Sequence, residues 1–181
     1  MTSCKTCAKT PTDWDQAFAA VDYGYPWDRL IADFKFRGNP AWARYFAAVM
    51  RSAPWVEPAL EAADWVVPMP LSRERLRDRG FNQSSLLAKQ LYPAKVQETS
   101  LLRVIHTPAQ SGLPRQQRLH NLQHAFAMEP LNAAAIEGKR VILVDDVMTS
   151  GATLGAASQV LRRAGAKHIS AMVFARTVTG D

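Results

Sequence analysis

Asp145 and Asp146 stand side by side in this 181-residue chain, directly after the apolar run Val141 to Val144. The full stretch reads VILVDDVMTSGATL, from Val141 to Leu154. A run that is apolar at every position is the pattern of a central parallel strand covered on both faces. Ligands in open α/β sheets bind beyond the carboxyl ends of such strands, and the spacing puts the two acids at that edge. Thr149, Ser150, Gly151, Ala152 and Thr153 follow, leading into a helix. A helix start offers unpaired main-chain N–H groups and the positive end of the helix dipole, and both favour phosphate. Gly151 lets the main chain come close, and the hydroxyls of Thr149, Ser150 and Thr153 add donors. Adjacent carboxylates repel each other and, when ionised, only accept hydrogen bonds. They suit sugar hydroxyls, or a metal ion bound through them. A phosphate cradle and a diol clamp, one short loop apart, describe a 5-phosphoribosyl group.

Other phosphate chemistries fit less well. A triphosphate P-loop needs G-x-x-x-x-G-K-[ST], and no lysine stands in this loop. A dinucleotide fingerprint needs G-x-G-x-x-G after the strand, also absent. An aspartyl-phosphate enzyme would place its acids two apart, where Val147 stands. A capped helix without a ligand would leave the paired charges without a reason.

The elements that must position these residues can be read on either side. Trp27, Leu30, Ile31 and Phe34 share one helical face, as do Trp42, Tyr45, Phe46, Val49 and Met50, with the turn Arg37 to Pro40 between them. Both stripes are expected in the core. Trp65 to Pro70 reads as a short buried strand ended by its prolines. Phe81 to Leu91 reads as a helix with Asn82 as its cap. Leu101 to Thr107 reads as a strand, and Pro108 to Gln123 as a loop that becomes a helix. Leu154, Ala157, Val160, Leu161 and Ala164 mark a helix that Gly165 stops, and His168 to Thr177 is the last strand. Alternating strands and helices predict an α/β fold with a mainly parallel sheet.

Composition narrows the class. A 48% hydrophobic fraction supports a full core, and 21% charged residues is ordinary for a soluble domain. No apolar run reaches the ~20 residues of a membrane span, and the start MTSCKTCAKTPTDWD has no signal-peptide core. The expectation is a cytoplasmic protein without membrane insertion. The net charge of +6 fits phosphate-bearing partners, from a small metabolite to nucleic acid, and equally a basic surface with no such role. Cys4 and Cys7 are the two cysteines, spaced C-x-x-C. A structural zinc site needs four ligands, and His106, His120, His124 and His168 lack the usual ligand spacing. Bound Zn2+ is therefore not expected within this chain.

The acid pair and its loop resemble the phosphoribosyl-diphosphate (PRPP) signature of the type I phosphoribosyltransferases, slot for slot. Three further blocks, Phe34 to Gly38 (FKFRG), Val66 to Gln83 (VVPMPLSRERLRDRGFNQ) and Thr107 to Asn121 (TPAQSGLPRQQRLHN), are similar to the ComF family. Those proteins are phosphoribosyltransferase-like and take their name from bacterial competence, the uptake of DNA. The resemblance spans nearly the whole chain.

The resemblance implies a type I phosphoribosyltransferase fold, a mainly parallel sheet flanked by helices, with a small, mostly helical N-terminal hood. Residues 1–12 would be the remnant of a zinc ribbon holding its second C-x-x-C pair. Residues 13–181 would be the transferase-like domain, with 13–63 as hood and 64–181 as core. In this fold a hood selects the acceptor. The last strand ends close to the chain's end, so the hood is expected at the N-terminal side, where Trp14, Tyr23, Tyr25, Trp27 and Trp42 could stack on a base or pack the core. The loop after the strand Trp65 to Pro70, formed by Pro70, Leu71, Ser72 and Arg73, with Arg79, would bind pyrophosphate. Asn82 and Gln83 either join it or only cap the next helix. Residues 107–118 would form a flexible loop closing over PRPP, with Arg115 and Arg118 as its cations.

The resulting expectation is transfer of phosphoribose from PRPP, with Mg2+, to an acceptor the sequence does not name. Asp145 and Asp146 would be the catalytic acids, and Thr149 to Thr153 would hold the 5-phosphate. The alternative is a non-catalytic, PRPP-responsive module that binds single-stranded DNA or other competence proteins. Oligomeric state is not legible.

Overall fold

The computed structural model describes residues 12–104 and 124–177. The first strand, β1 (Gln16–Asp22), is followed by helices α1 (Trp27–Phe36), α2 (Trp42–Arg51) and α3 (Val56–Ala62). Strand β2 (Trp65–Pro68) leads to α4 (Arg73–Arg79) and α5 (Gln83–Leu91). Short strands β3 (Leu101–Arg103) and β4 (Phe126–Met128) pair antiparallel, apart from the main sheet. Strand β5 (Arg140–Met148), helix α6 (Ala152–Arg163) and strand β6 (His168–Arg176) complete the described chain.

Four strands form one parallel sheet in the order β1-β6-β5-β2. Register runs Val66 against Ile142, Val144 against Met172, and Phe18 against Met172. Successive strand residues point to opposite faces, and both faces are covered. Ile142, Val144, Met172, Phe174, Phe18 and Val66 meet α1, α2, α3 and α5. Val141, Leu143, Ile169, Ala171, Val173 and Val67 meet α6 and the β3–β4 pair. This is why β5 is apolar at four consecutive positions.

The two aromatic stripes pack the first face as expected, with one exception. Phe46 stacks on Phe174 with ring centroids 4.0 Å apart, and Phe34 meets Phe46 edge-on at 5.5 Å. Tyr45 lies on the outer side of α2 and is 62% exposed. Trp27 and Trp42 pack on Phe174 and Phe46 respectively, so their rings serve the core.

The structure differs from the expected layout in three places. β1 falls within 13–63 and pairs with β6 as an edge of the central sheet, so this segment supplies a sheet strand as well as three helices. Arg73 to Arg79, for which no helix was expected, form α4, capped by Ser72 at its start and closed by Gly80 at φ +77°. β5 does not stop at Val144 but carries both acids and runs to Met148, pairing Asp145 with Val173. Of the expected strand Leu101 to Thr107, Leu101–Arg103 is β3, and 105–107 lie outside the described residues. Also outside them are Cys4, Cys7, Arg115 and Arg118. No helix among the described residues is long and apolar enough to cross a membrane.

Candidate functional site

All four sheet strands point the same way, so their carboxyl ends share one edge. The acid pair sits there on β5, and each acid is held by a different helix. Lys35 Nζ of α1 lies 2.8 Å from Asp146 Oδ1, with both side chains largely buried. The Ser84 hydroxyl at the start of α5 donates to Asp145 Oδ1 at 2.8 Å, and the Asp146 main-chain N–H donates to the same oxygen at 2.9 Å. Burial, and then the neighbouring Asp146 charge, push the Asp145 carboxyl up to about 6, against the opposing pull of Lys35 and Ser84. Asp145 is thus poised to change protonation near pH 6.

Lys35 and Ser84 were not singled out from the sequence. Lys35 lies inside FKFRG, where it reads as one polar residue in an aromatic stripe. A lysine placed next to the buried face of an amphipathic helix is the signal that could have marked it, because a buried ammonium needs a partner.

The loop after β5 is shorter than its sequence suggested and ends at Gly151. Gly151 adopts φ +74°, a left-handed conformation open to glycine at little cost. It caps α6 without a side chain, and α6 begins at Ala152, so Ala152 and Thr153 form its first turn rather than a loop. Thr149 and Ser150 are exposed, and Ser150 Oγ accepts the Ala152 N–H at 3.4 Å. The helix presents its first N–H groups at the sheet's carboxyl edge, with only Thr149, Ser150 and Gly151 between it and the end of β5.

The turn after β2 is built differently. Met69 continues the pairing by donating its N–H to Val144 at 2.9 Å. Pro70 and Leu71 are half-buried, and Ser72 is buried as the cap of α4. Arg73 is exposed. Arg79 is half-buried; its guanidinium lies 5.3 Å from the Phe36 ring centroid, and it donates to Gln83 Oε1 at 3.1 Å. Burial pulls the Arg79 pKa down, while the charges of Asp146 and Asp145 raise it. Arg79 is therefore within electrostatic reach of the acid pair.

Asn82 and Gln83 do more than cap. Asn82 Oδ1 accepts the N–H groups of Ser84 and Ser85, and its Nδ2 donates to the Met69 carbonyl at 3.0 Å. Buried Gln83 donates to the Phe34 carbonyl at 3.4 Å while receiving Arg79. Together they tie the β2 turn to the end of α1, where Lys35 sits.

Comparison with known proteins gives the family. The model of the phosphoribosyl transferase domain matches residues 77–180. The chain is 34% identical over 181 residues to Competence protein F of Haemophilus influenzae, covering 96% of this chain and 78% of that protein. It is 30% identical to the DNA utilization protein YhgH of Escherichia coli K12, covering 97% of this chain and 78% of the relative. Competence protein ComFC of Bacillus subtilis is 33% identical over 148 residues, 81% of this chain and 58% of that one. The chain belongs to the ComF family and carries a phosphoribosyltransferase-like domain.

Proposed function

We propose that the protein binds PRPP at the β5–α6 segment and transfers its phosphoribosyl group to an acceptor of unassigned identity. The observation that carries this reading is the succession, at one sheet edge, of a fixed acid pair and a helix start turned by Gly151 at φ +74°. The N–H groups there, with the hydroxyls of Thr149, Ser150 and Thr153, would take the 5-phosphate. Asp145 and Asp146 would accept hydrogen bonds from the ribose 2- and 3-hydroxyls. Pro70 to Arg73 and Arg79 would receive the diphosphate, and Arg115 and Arg118 would close over it.

In the reaction, the bond from ribose C1 to the diphosphate oxygen breaks and pyrophosphate leaves with its electron pair. The acceptor nucleophile forms the new bond to C1 and gives up a proton. Positive charge grows on the ribose as the bond breaks. The acid pair would stabilise that charge, and the remote phosphate contact would orient C1.

Mg2+ belongs to the same proposal. It takes one or two carboxylates at most and fills its remaining positions with phosphate oxygens and water. The acid pair, which would accept the ribose hydroxyls, would lie beside an ion that arrives with the diphosphate. Bound there, the ion would neutralise charge on the leaving group.

The test is calorimetry with PRPP and Mg2+ on wild type and on the double variant Asp145→Asn, Asp146→Asn. Loss of at least about tenfold in affinity is expected; unchanged binding removes the diol-clamp assignment. Release of pyrophosphate across a panel of amines and bases then identifies the acceptor.

A second reading, a PRPP-responsive module that binds single-stranded DNA, draws on one surface feature. Arg29 lies over the ring of Tyr25, which is 78% exposed, and Arg79 over that of Phe36, which is 74% exposed. Aromatics joined to arginines are what single strands stack on, and relatives carry the name DNA utilization protein. Fluorescence anisotropy with a labelled oligonucleotide should then show binding that weakens steeply with salt; no binding at low salt rejects this reading.

A further inference from the structure

Three residues ahead of β1 lie against the helix whose first turn was assigned to phosphate. The Asp15 N–H donates to the Ile169 carbonyl at 2.8 Å, and its carboxylate accepts the Ile169 N–H at 2.7 Å and Arg162 Nη2 at 2.6 Å. Asp13 Oδ2 accepts from Gln159 Nε2 at 3.1 Å. The residues on both sides of Trp14 are therefore anchored to β6 and α6. The Thr12 hydroxyl adds a bond to the Trp14 carbonyl at 2.9 Å. The indole so placed packs with the α6 side of the core. A Cβ built on Gly151 would lie 2.7 Å from Trp14 Cη2, and one on Gly155 would lie 3.6 Å from Cζ3. Glycine at 151 thus answers two demands, the left-handed turn and the ring pressed against it.

We propose that Trp14 is a positioning residue for the anion loop: its indole is the wall against which Gly151 turns, and it holds the first N–H groups of α6 in their binding direction. The inference rests on the reading of Thr149 to Thr153 as the phosphate site. A loop of small residues has little packing of its own. Thr149 and Ser150 are exposed, so the wall must come from elsewhere in the chain. Trp14 supplies it across the whole length of the fold's sequence. Through Trp14, residues N-terminal to the sheet acquire an influence on ligand affinity.

The test uses the full chain and ribose 5-phosphate as the probe, measured by calorimetry. Trp14→Ala should weaken binding by about tenfold, and Trp14→Phe should restore it to within about threefold of wild type. Gly151→Ala should cost less affinity in the Trp14→Ala background than alone, because the 2.7 Å conflict has gone and only the turn strain remains. Rescue of affinity by Trp14→Phe, with the thermal stability of Trp14→Ala followed in parallel, separates positioning of the loop from a general loss of folding. Wild-type affinity in Trp14→Ala, with the cost of Gly151→Ala unaltered, overturns the inference while leaving the phosphate reading standing. Failure of wild type itself to bind ribose 5-phosphate overturns the phosphate reading, and the role of Trp14 with it.

Discussion

Two turns leave neighbouring parallel strands at the same sheet edge and offer an anion opposite kinds of welcome. After β5 the chain uses small residues, turns at Gly151 and enters α6 with no side chain on the cap itself. Its attraction is a fixed field of main-chain N–H groups and helix dipole, held in one direction. After β2 the chain is capped by buried Ser72 and enters α4, a helix that displays Arg73, Arg75, Arg77 and Arg79. Its attraction is guanidinium charge, mobile where exposed and fixed where Arg79 is pinned by Gln83 and Phe36. In the proposed reaction the fixed field would hold the terminal phosphate, and the arginines would receive the departing diphosphate. The acid pair lies between the two, steadied by Lys35 from α1 and Ser84 from α5.

Changing pH should move the acid pair most. Asp145 has its pKa raised from 3.8 to about 6 in the folded protein. The folded state therefore holds that proton more tightly than the unfolded chain. This group's contribution to stability is fully present below about 3.8 and is lost as pH rises through about 6. Asp145→Asn should accordingly be more heat-stable than wild type above that window and show no such advantage below it, as read by thermal unfolding across pH. PRPP affinity should run the other way, falling by up to about tenfold per pH unit as Asp145 takes its proton, with the dependence flattened in Asp145→Asn. A flat wild-type profile would detach the acids from the ligand.

The next effect separates the two turns directly. Arg79→Met should weaken PRPP by about fivefold through loss of a charge-assisted contact, and leave ribose 5-phosphate, which has no diphosphate, nearly unchanged. Equal losses for both ligands would merge the two turns into one site. Arg73→Met should do least. Its side chain is exposed, and exposed charges contribute well under ~1 kcal/mol, so less than about a twofold change is expected, vanishing at high salt.

What could be read ahead of the structure follows the range of the interactions involved. The β5–α6 segment was legible because strand, acids, glycine and helix are consecutive, and each is a local signal. The Asn82 cap was legible for the same reason, and its Oδ1 does accept from Ser84 and Ser85. Helix α4 was not, since RERLRDR has no apolar stripe; its one leucine, Leu76, is 45% exposed, and the helix rests on a cap and a glycine stop. Strand β1 was hidden by its alanines, which carry little strand preference. Lys35 with Asp146, Ser84 with Asp145, and Trp14 with Gly151 join residues far apart in sequence, and no spacing rule brings such partners together.

The central claim is that Asp145 and Asp146 hold the ribose hydroxyls while the α6 start holds the phosphate. Titrating ribose 5-phosphate and 2-deoxyribose 5-phosphate into wild type and into the Asp145→Asn, Asp146→Asn variant tests it most directly. Wild type should prefer the ribose form by about tenfold, and the variant should bind both weakly and alike. The same preference in both proteins, or no preference in wild type, would contradict it.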